Sequence, residues 1–118
     1  MSIKNIGVDI EDSLRFKQKD YSENKHFYEK IFSEKEIKYC LGKSKPYIHF
    51  SGKFSAKEAL IKAMSNKLDF KDIEVLNDET GKPSIYIKNV LKTNILLSIS
   101  HTNSDAIAFV VIKETENE

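Results

Sequence analysis

Apolar residues recur along this chain in two different periods, and the switch between them marks out its elements. Residues 3–10 alternate weakly and are rich in Ile and Val, which predicts a buried strand. Residues 15–25 are charged and lack a period, so a loop or short helix is expected there. Over residues 25–32, Phe27, Tyr28, Ile31 and Phe32 fall on one side of a helix. Ser33-Glu-Lys-Glu36 has the spacing of a capping box and predicts a new helix beginning at Ser33. That helix carries Ile37, Tyr39, Cys40 and Leu41 and should stop at Gly42.

The helix that organises the rest covers residues 50–64, where Phe50, Phe54, Leu60, Ile61 and Met64 lie close to a helical period. Pro46 suits its first turn, because the missing N–H would have no intrahelical partner there. A turn follows at 65–69. Strands are predicted over 72–76 and 84–88, joined by a loop that Asp78 and Gly81-Lys-Pro83 mark. A second pair is predicted over 94–101 and 106–113, with a turn at 102–105; residues 113–118 are expected to be a flexible tail. One strand, then helices, then four strands predict an α+β fold: a single domain over residues 1–118, its helices packed on a mostly antiparallel sheet.

Composition narrows the function classes. A chain of 118 residues with 40% hydrophobic and 31% charged residues has material for one core and a well-solvated surface. No run approaches the roughly 18–20 apolar residues of a membrane span, so no membrane partner is expected. Cys40 stands alone, which excludes an internal disulfide, makes it a small core residue and suits a reducing cytoplasm. His26, His49 and His101 are scattered and do not suggest zinc. Net charge is +1, yet residues 1–70 carry fourteen Lys/Arg against ten Asp/Glu, and residues 71–118 carry five against eight. That tilt suits an anionic ligand or an acidic partner near the first half. Arg15 is the single arginine among nineteen basic residues, and no motif supports nucleic-acid binding.

The candidate chemistry sits at two places. On the organising helix Glu58 and Lys62 are four residues apart and share a face, with Ser55 one turn before. Taken alone, such a pair is an ordinary solvated feature. At the end of the first strand, Asp9, Glu11 and Asp12 put three acids within four residues, and hard divalent cations prefer such oxygens. Asp9 and Glu11 share a strand face, and an acid within an apolar run needs a partner or a metal if it is buried.

Three segments, Gly7-Val-Asp-Ile10, Gly52-Lys-Phe-Ser-Ala-Lys-Glu-Ala-Leu-Ile-Lys62 and Ser98-Ile-Ser-His-Thr102, occur together with Asp72-Ile-Glu-Val and Asp78-Glu-Thr-Gly-Lys-Pro83. In order and spacing they resemble the 4′-phosphopantetheinyl transferase superfamily, and within it the small bacterial holo-acyl-carrier-protein synthase type, from about residue 5 to residue 112. The resemblance implies that fold, and transfer of the phosphopantetheine arm of coenzyme A to a serine of an acyl carrier protein, releasing adenosine 3′,5′-bisphosphate. It implies Asp9 and Glu58 as magnesium ligands. Lys62 is implied to act on the diphosphate or the leaving phosphate, and Glu58, or a water, as the proton acceptor. Lys53, His101 and Thr102 match positions that contact coenzyme A, and Arg15 is expected to serve the acidic carrier. Members of this size form homotrimers with active sites between subunits. Two departures stand out: Lys53 where the family usually has Arg, and Ser65-Asn-Lys-Leu68 where it has a glycine-rich turn. A different magnesium-dependent phosphoester enzyme, or a coenzyme A or carrier-binding module without turnover, are the alternative readings.

Overall fold

The computed structural model describes residues 2–115. The elements run β1 (Ile3–Asp12), α1 (Leu14–Lys17), α2 (Lys25–Ile31), α3 (Glu34–Leu41), α4 (Pro46–Ala63), β2 (Ile73–Asn77), β3 (Pro83–Ile87), β4 (Val90–Leu91), β5 (Ile95–His101) and β6 (Asp105–Lys113), with 3₁₀ turns at Tyr21–Glu23 and Phe70–Asp72. They form two antiparallel three-stranded sheets, ordered β1-β6-β5 and β2-β3-β4. The expected α+β arrangement is thus realised with two sheets, and α4 packs against both.

Local chemistry explains most boundaries. Ser33 Oγ accepts from the Glu36 N–H while the Glu36 carboxylate accepts from the Ser33 N–H, so the predicted capping box forms and starts α3. Pro46 occupies the first turn of α4. The third strand ends at Ile87, one residue short of the expectation, because Lys88 (φ 49°) and Asn89 (φ 69°) turn through the left-handed region and send the chain into β4, which periodicity did not foretell. Lys113 belongs to β6, and the Glu114 N–H donates to the Ser2 carbonyl at 3.0 Å; of the expected tail, residues 116–118 lie outside the described residues.

α4 is buried on nearly every side, because two cores meet on it. One is aliphatic: Ala56, Ala59, Leu60 and Ala63 pack against Val75, Ile85, Val110 and Ile112 from both sheets. The other is aromatic: Phe50 and Phe54 join Phe16, Tyr28 and Phe32 beneath the short helices. Cys40 lies wholly inside the second, and burial pushes its thiol up to about 12, as suits a packing residue. Between the two cores runs a buried ion pair absent from the sequence reading. Lys57 Nζ reaches the Glu36 carboxylate at 2.8 Å and the carbonyls of Ile31 and Phe70, while Glu36 also accepts from the Val75 N–H. Removing either partner strands a buried charge and costs about 3–5 kcal/mol.

β1 crosses α4 at close range. A Cβ on Gly7 would stand 2.0 Å from the Ala59 carbonyl oxygen, so only glycine allows this approach. The strand's other face differs from expectation. Ile6, Val8 and Ile10, predicted to be buried, are exposed together with Leu96, Ile107 and Phe109. Register sets Val8 beside Phe109 and Ile10 beside Ile107, so these side chains form one continuous apolar face on the β1-β6-β5 sheet. Alternation is present, but within one chain only the Gly7–Asp9–Glu11 side is covered by α4.

Candidate active site

The inward face of β1 and the C-terminal half of α4 bring Asp9, Glu58 and Lys62 together. Asp9 is 8% exposed. Its backbone carbonyl accepts from Ser55 Oγ at 2.9 Å, so the residue before Ala56 pins strand to helix. Lys62 Nζ lies 3.2 Å from Asp9 Oδ1 and donates also to the Val8 carbonyl at 3.1 Å. Asp9 Oδ2 has no hydrogen-bond partner although it is buried, an arrangement that a bound cation would relieve.

Neighbouring acids sharpen this. Glu11 is pushed up to about 7, first by burial and then by Asp9, with Arg15 opposing. Glu58 is also raised, by burial and then by Asp9, while Lys62 and Arg15 pull the other way. Negative charge is therefore crowded here. No group of three His, Cys, Asp or Glu residues poised for a metal occurs among the described residues, but magnesium needs only one or two carboxylates. Asp12 does not join the group: it points from the opposite strand face and accepts from the Leu14 N–H at 3.0 Å. Arg15, on α1, lies 3.5 Å from the Glu11 carboxylate and rests over the Phe54 ring.

A second site opens at the N-terminal half of α4. His49, Gly52 and Lys53 line a cavity of about 190 Å³ with Tyr39, Ile99 and His101. A Cβ on Gly52 would press to 3.2 Å from the Ile99 side chain, so glycine lets β5 approach the helix here. Lys53 is 3% exposed, and its Nζ donates to the Val75 carbonyl and Asn77 Oδ1, both at 2.6 Å. Burial lowers its proton affinity, and its Nζ also lies 4.6 Å from the Tyr39 ring centroid. Gly81, at φ +90°, gives the β2–β3 loop the turn that carries it to the same wall.

Comparison with known proteins decides the family. The profile of the 4′-phosphopantetheinyl transferase superfamily matches residues 5–111. A holo-[acyl-carrier-protein] synthase of Chloroherpeton thalassium is 39% identical over 116 residues, covering 92% of this chain and 96% of its own length.

The chain belongs to this superfamily.

A Clostridium botulinum holo-[acyl-carrier-protein] synthase is 40% identical, with 94% and 98% covered. Among solved structures, the Bacillus anthracis synthase in complex with coenzyme A (3′,5′-ADP) superposes with a TM-score of 0.79 at 33% identity, covering 96% of this chain and 98% of that one. The Helicobacter pylori synthase in complex with coenzyme A gives 0.73 at 28%, with 92% and 99% covered.

Within this superfamily member, the residues expected to act fall into two groups. Asp9, Glu58 and Lys62 converge; Lys53 and His101 line the cavity at the other half of α4, whose lining includes none of those three. Thr102 sits beside the cavity with its Oγ1 accepting from the N–H groups of Ser104 and Asp105, holding the β5–β6 turn. His49 and Tyr39 were missed as site residues, because their place depends on α3, α4 and β5 meeting. The Ser65-Asn-Lys-Leu68 link buries Leu68 in the aliphatic core.

Proposed function

We propose that this chain is a holo-acyl-carrier-protein synthase, moving the 4′-phosphopantetheine arm of coenzyme A to a serine of apo acyl carrier protein. The observation that carries the reading is Asp9: buried, with one carboxylate oxygen unpartnered, facing Glu58 and Lys62 across two rigid elements. Magnesium fits this donor set, with Asp9 and Glu58 as its carboxylate ligands. Bound there, it would supply positive charge to the diphosphate as phosphorus is attacked.

The chain's own groups account for the remaining chemistry. The serine Oγ–P bond forms as the P–O bond to the adenosine 3′,5′-bisphosphate leaving group breaks. Glu58, whose proton affinity is raised by burial and then by Asp9, is suited to take the serine proton directly or through a water. Lys62, exposed at its tip and anchored on Val8 and Asp9, can swing one donor to the diphosphate and stabilise the departing phosphate. His101, Thr102 and Lys53 serve the nucleotide of coenzyme A. Arg15, next to the carboxylates on the exposed α1, meets the acidic carrier protein.

The active unit is a homotrimer with active sites between subunits. Two observations support it: the exposed apolar face of Ile6, Val8, Ile10, Leu96, Ile107 and Phe109, and the separation of the carboxylate group from the cationic cavity within one chain. Light scattering on the active protein tests this, and a stable, active monomer would refute it. Among the described residues no helix is long and apolar enough to cross a membrane, and the cytoplasm is the proposed location.

Incubation with coenzyme A, magnesium and apo carrier protein tests the activity directly. The carrier should gain the mass of one phosphopantetheine arm. Hydrolysis of coenzyme A with an unmodified carrier would instead indicate a phosphoesterase, and binding without any product a module lacking turnover.

A further inference from the structure

His49 lies on α4 one turn before Lys53 and faces the cavity wall formed by β5. Its ring centroid is 6.2 Å from that of His101, with the planes at 60°. At this separation a ring nitrogen of each can reach oxygens of one phosphate group, given N–H···O distances of about 2.9 Å. Neither imidazole makes a hydrogen bond among the described residues; each packs against a neighbouring ring. The groups around them are cationic or neutral. Tyr39 meets His49 edge-on at 5.9 Å, and the Nζ atoms of Lys43 and Lys53 each lie 4.6 Å from the Tyr39 ring centroid. The β2–β3 hairpin contributes Asn77, Gly81 and Pro83, and no carboxylate lines the cavity.

We propose that His49 is a second nucleotide contact, closing with His101 on one anionic phosphate of coenzyme A. The inference rests on the coenzyme A reading and adds a residue to it. Because a bound phosphate favours imidazolium, nucleotide binding takes up protons. In the free protein, burial and then the charges of His101, Lys43 and Lys53 hold His49 towards the neutral form. Affinity is therefore greatest at low pH and declines as pH rises through the bound-state titration.

Calorimetric titration of the full chain with adenosine 3′,5′-bisphosphate, without magnesium, at about pH 6 and about pH 8 tests this. The phosphates titrate too, but equally for every variant, so the comparison between proteins isolates the histidines. The wild type should gain at least about fivefold more affinity on acidification than His49→Gln, as expected for losing one charge-assisted hydrogen bond. Proton uptake, read from the dependence of the heat on buffer ionisation, should fall in the same variant. His49→Lys should restore tight binding with little pH dependence. If His49→Gln, folded by its thermal melt, keeps the wild-type pH ratio and proton uptake, His49 is a packing residue against Tyr39 and the proposal fails while the coenzyme A reading stands. Absence of wild-type binding at both pH values would overturn both.

Discussion

The two halves of α4 present opposite electrostatic problems. Its C-terminal half, against β1, gathers Asp9, Glu11 and Glu58 around one lysine, and leaves a buried carboxylate oxygen without a partner. Its N-terminal half, against β5, gathers Lys53, His49 and His101 in a cavity without an acid. Each half holds charge that the chain alone does not neutralise. One suits a cation and the other an anion, and the proposed magnesium-bound diphosphate ester with its phosphorylated nucleotide would supply both. A single rigid helix fixes the spacing between them within one chain, and the proposed trimer, joined through the exposed sheet face, would bring one chain's carboxylates to another's cavity.

The comparison can be broken at the carboxylates with the largest effect. Asp9→Asn and Glu58→Gln should each lower kcat on the order of 10³, and the double variant should be little worse than either, because both act through one ion. Mass measurement of holo carrier over time reads this. Near-wild-type turnover of either single variant in saturating magnesium would end the metal assignment. Next comes Lys62→Ala, which should cost on the order of 10² in kcat while metal affinity holds, since the amine acts on phosphate rather than on the ion. An ordinary surface pair would contribute only about 0.3–0.5 kcal/mol to stability and leave kinetics untouched.

Smaller effects sharpen the boundary of the acidic half. Arg15→Ala should raise the carrier KM about fivefold, more at low salt, without altering coenzyme A binding. A carrier KM that does not move would remove Arg15 from the interface. The smallest effect concerns pH. Glu11, raised from 4.5 to about 7, and Glu58, also raised, bind protons more tightly folded than unfolded. The metal-free protein should therefore lose stability as pH rises from 4.5 towards 7, and thermal melts should show a falling Tm across that window. Glu11→Gln should flatten the slope, and so should magnesium by replacing the proton as counter-charge. An equally steep slope in Glu11→Gln would show that other groups cause it.

What was legible in the sequence was local or periodic. The capping box at Ser33, the turn at 102–105 and the Glu58–Lys62 spacing all depend on residues within a few positions of one another. Alternation identified β1 and set Asp9 with Glu11, but it could not say that Val8 and Ile10 would remain uncovered within one chain. The Glu36–Lys57 pair spans 21 residues, and nothing within a few positions of either residue signals it. The period of α4 was blurred because opposite sides of the helix feed different cores. His49 carried no local signal either, since its meaning comes from His101, 52 residues later.

Gly7 has a consequence for how this protein can vary. The distance between Asp9 and Glu58 depends on β1 lying close enough to α4 that no methyl group fits at position 7. Even alanine there would have to lift the strand from the helix, carrying Asp9 away from Lys62 and Ser55 while leaving every acid and base in the sequence unchanged. Drift at the neighbouring, outward Ile6 and Val8 meets no such limit from the helix. The most sensitive neutral-seeming substitution near the site is thus one that adds a single carbon and removes no reactive group.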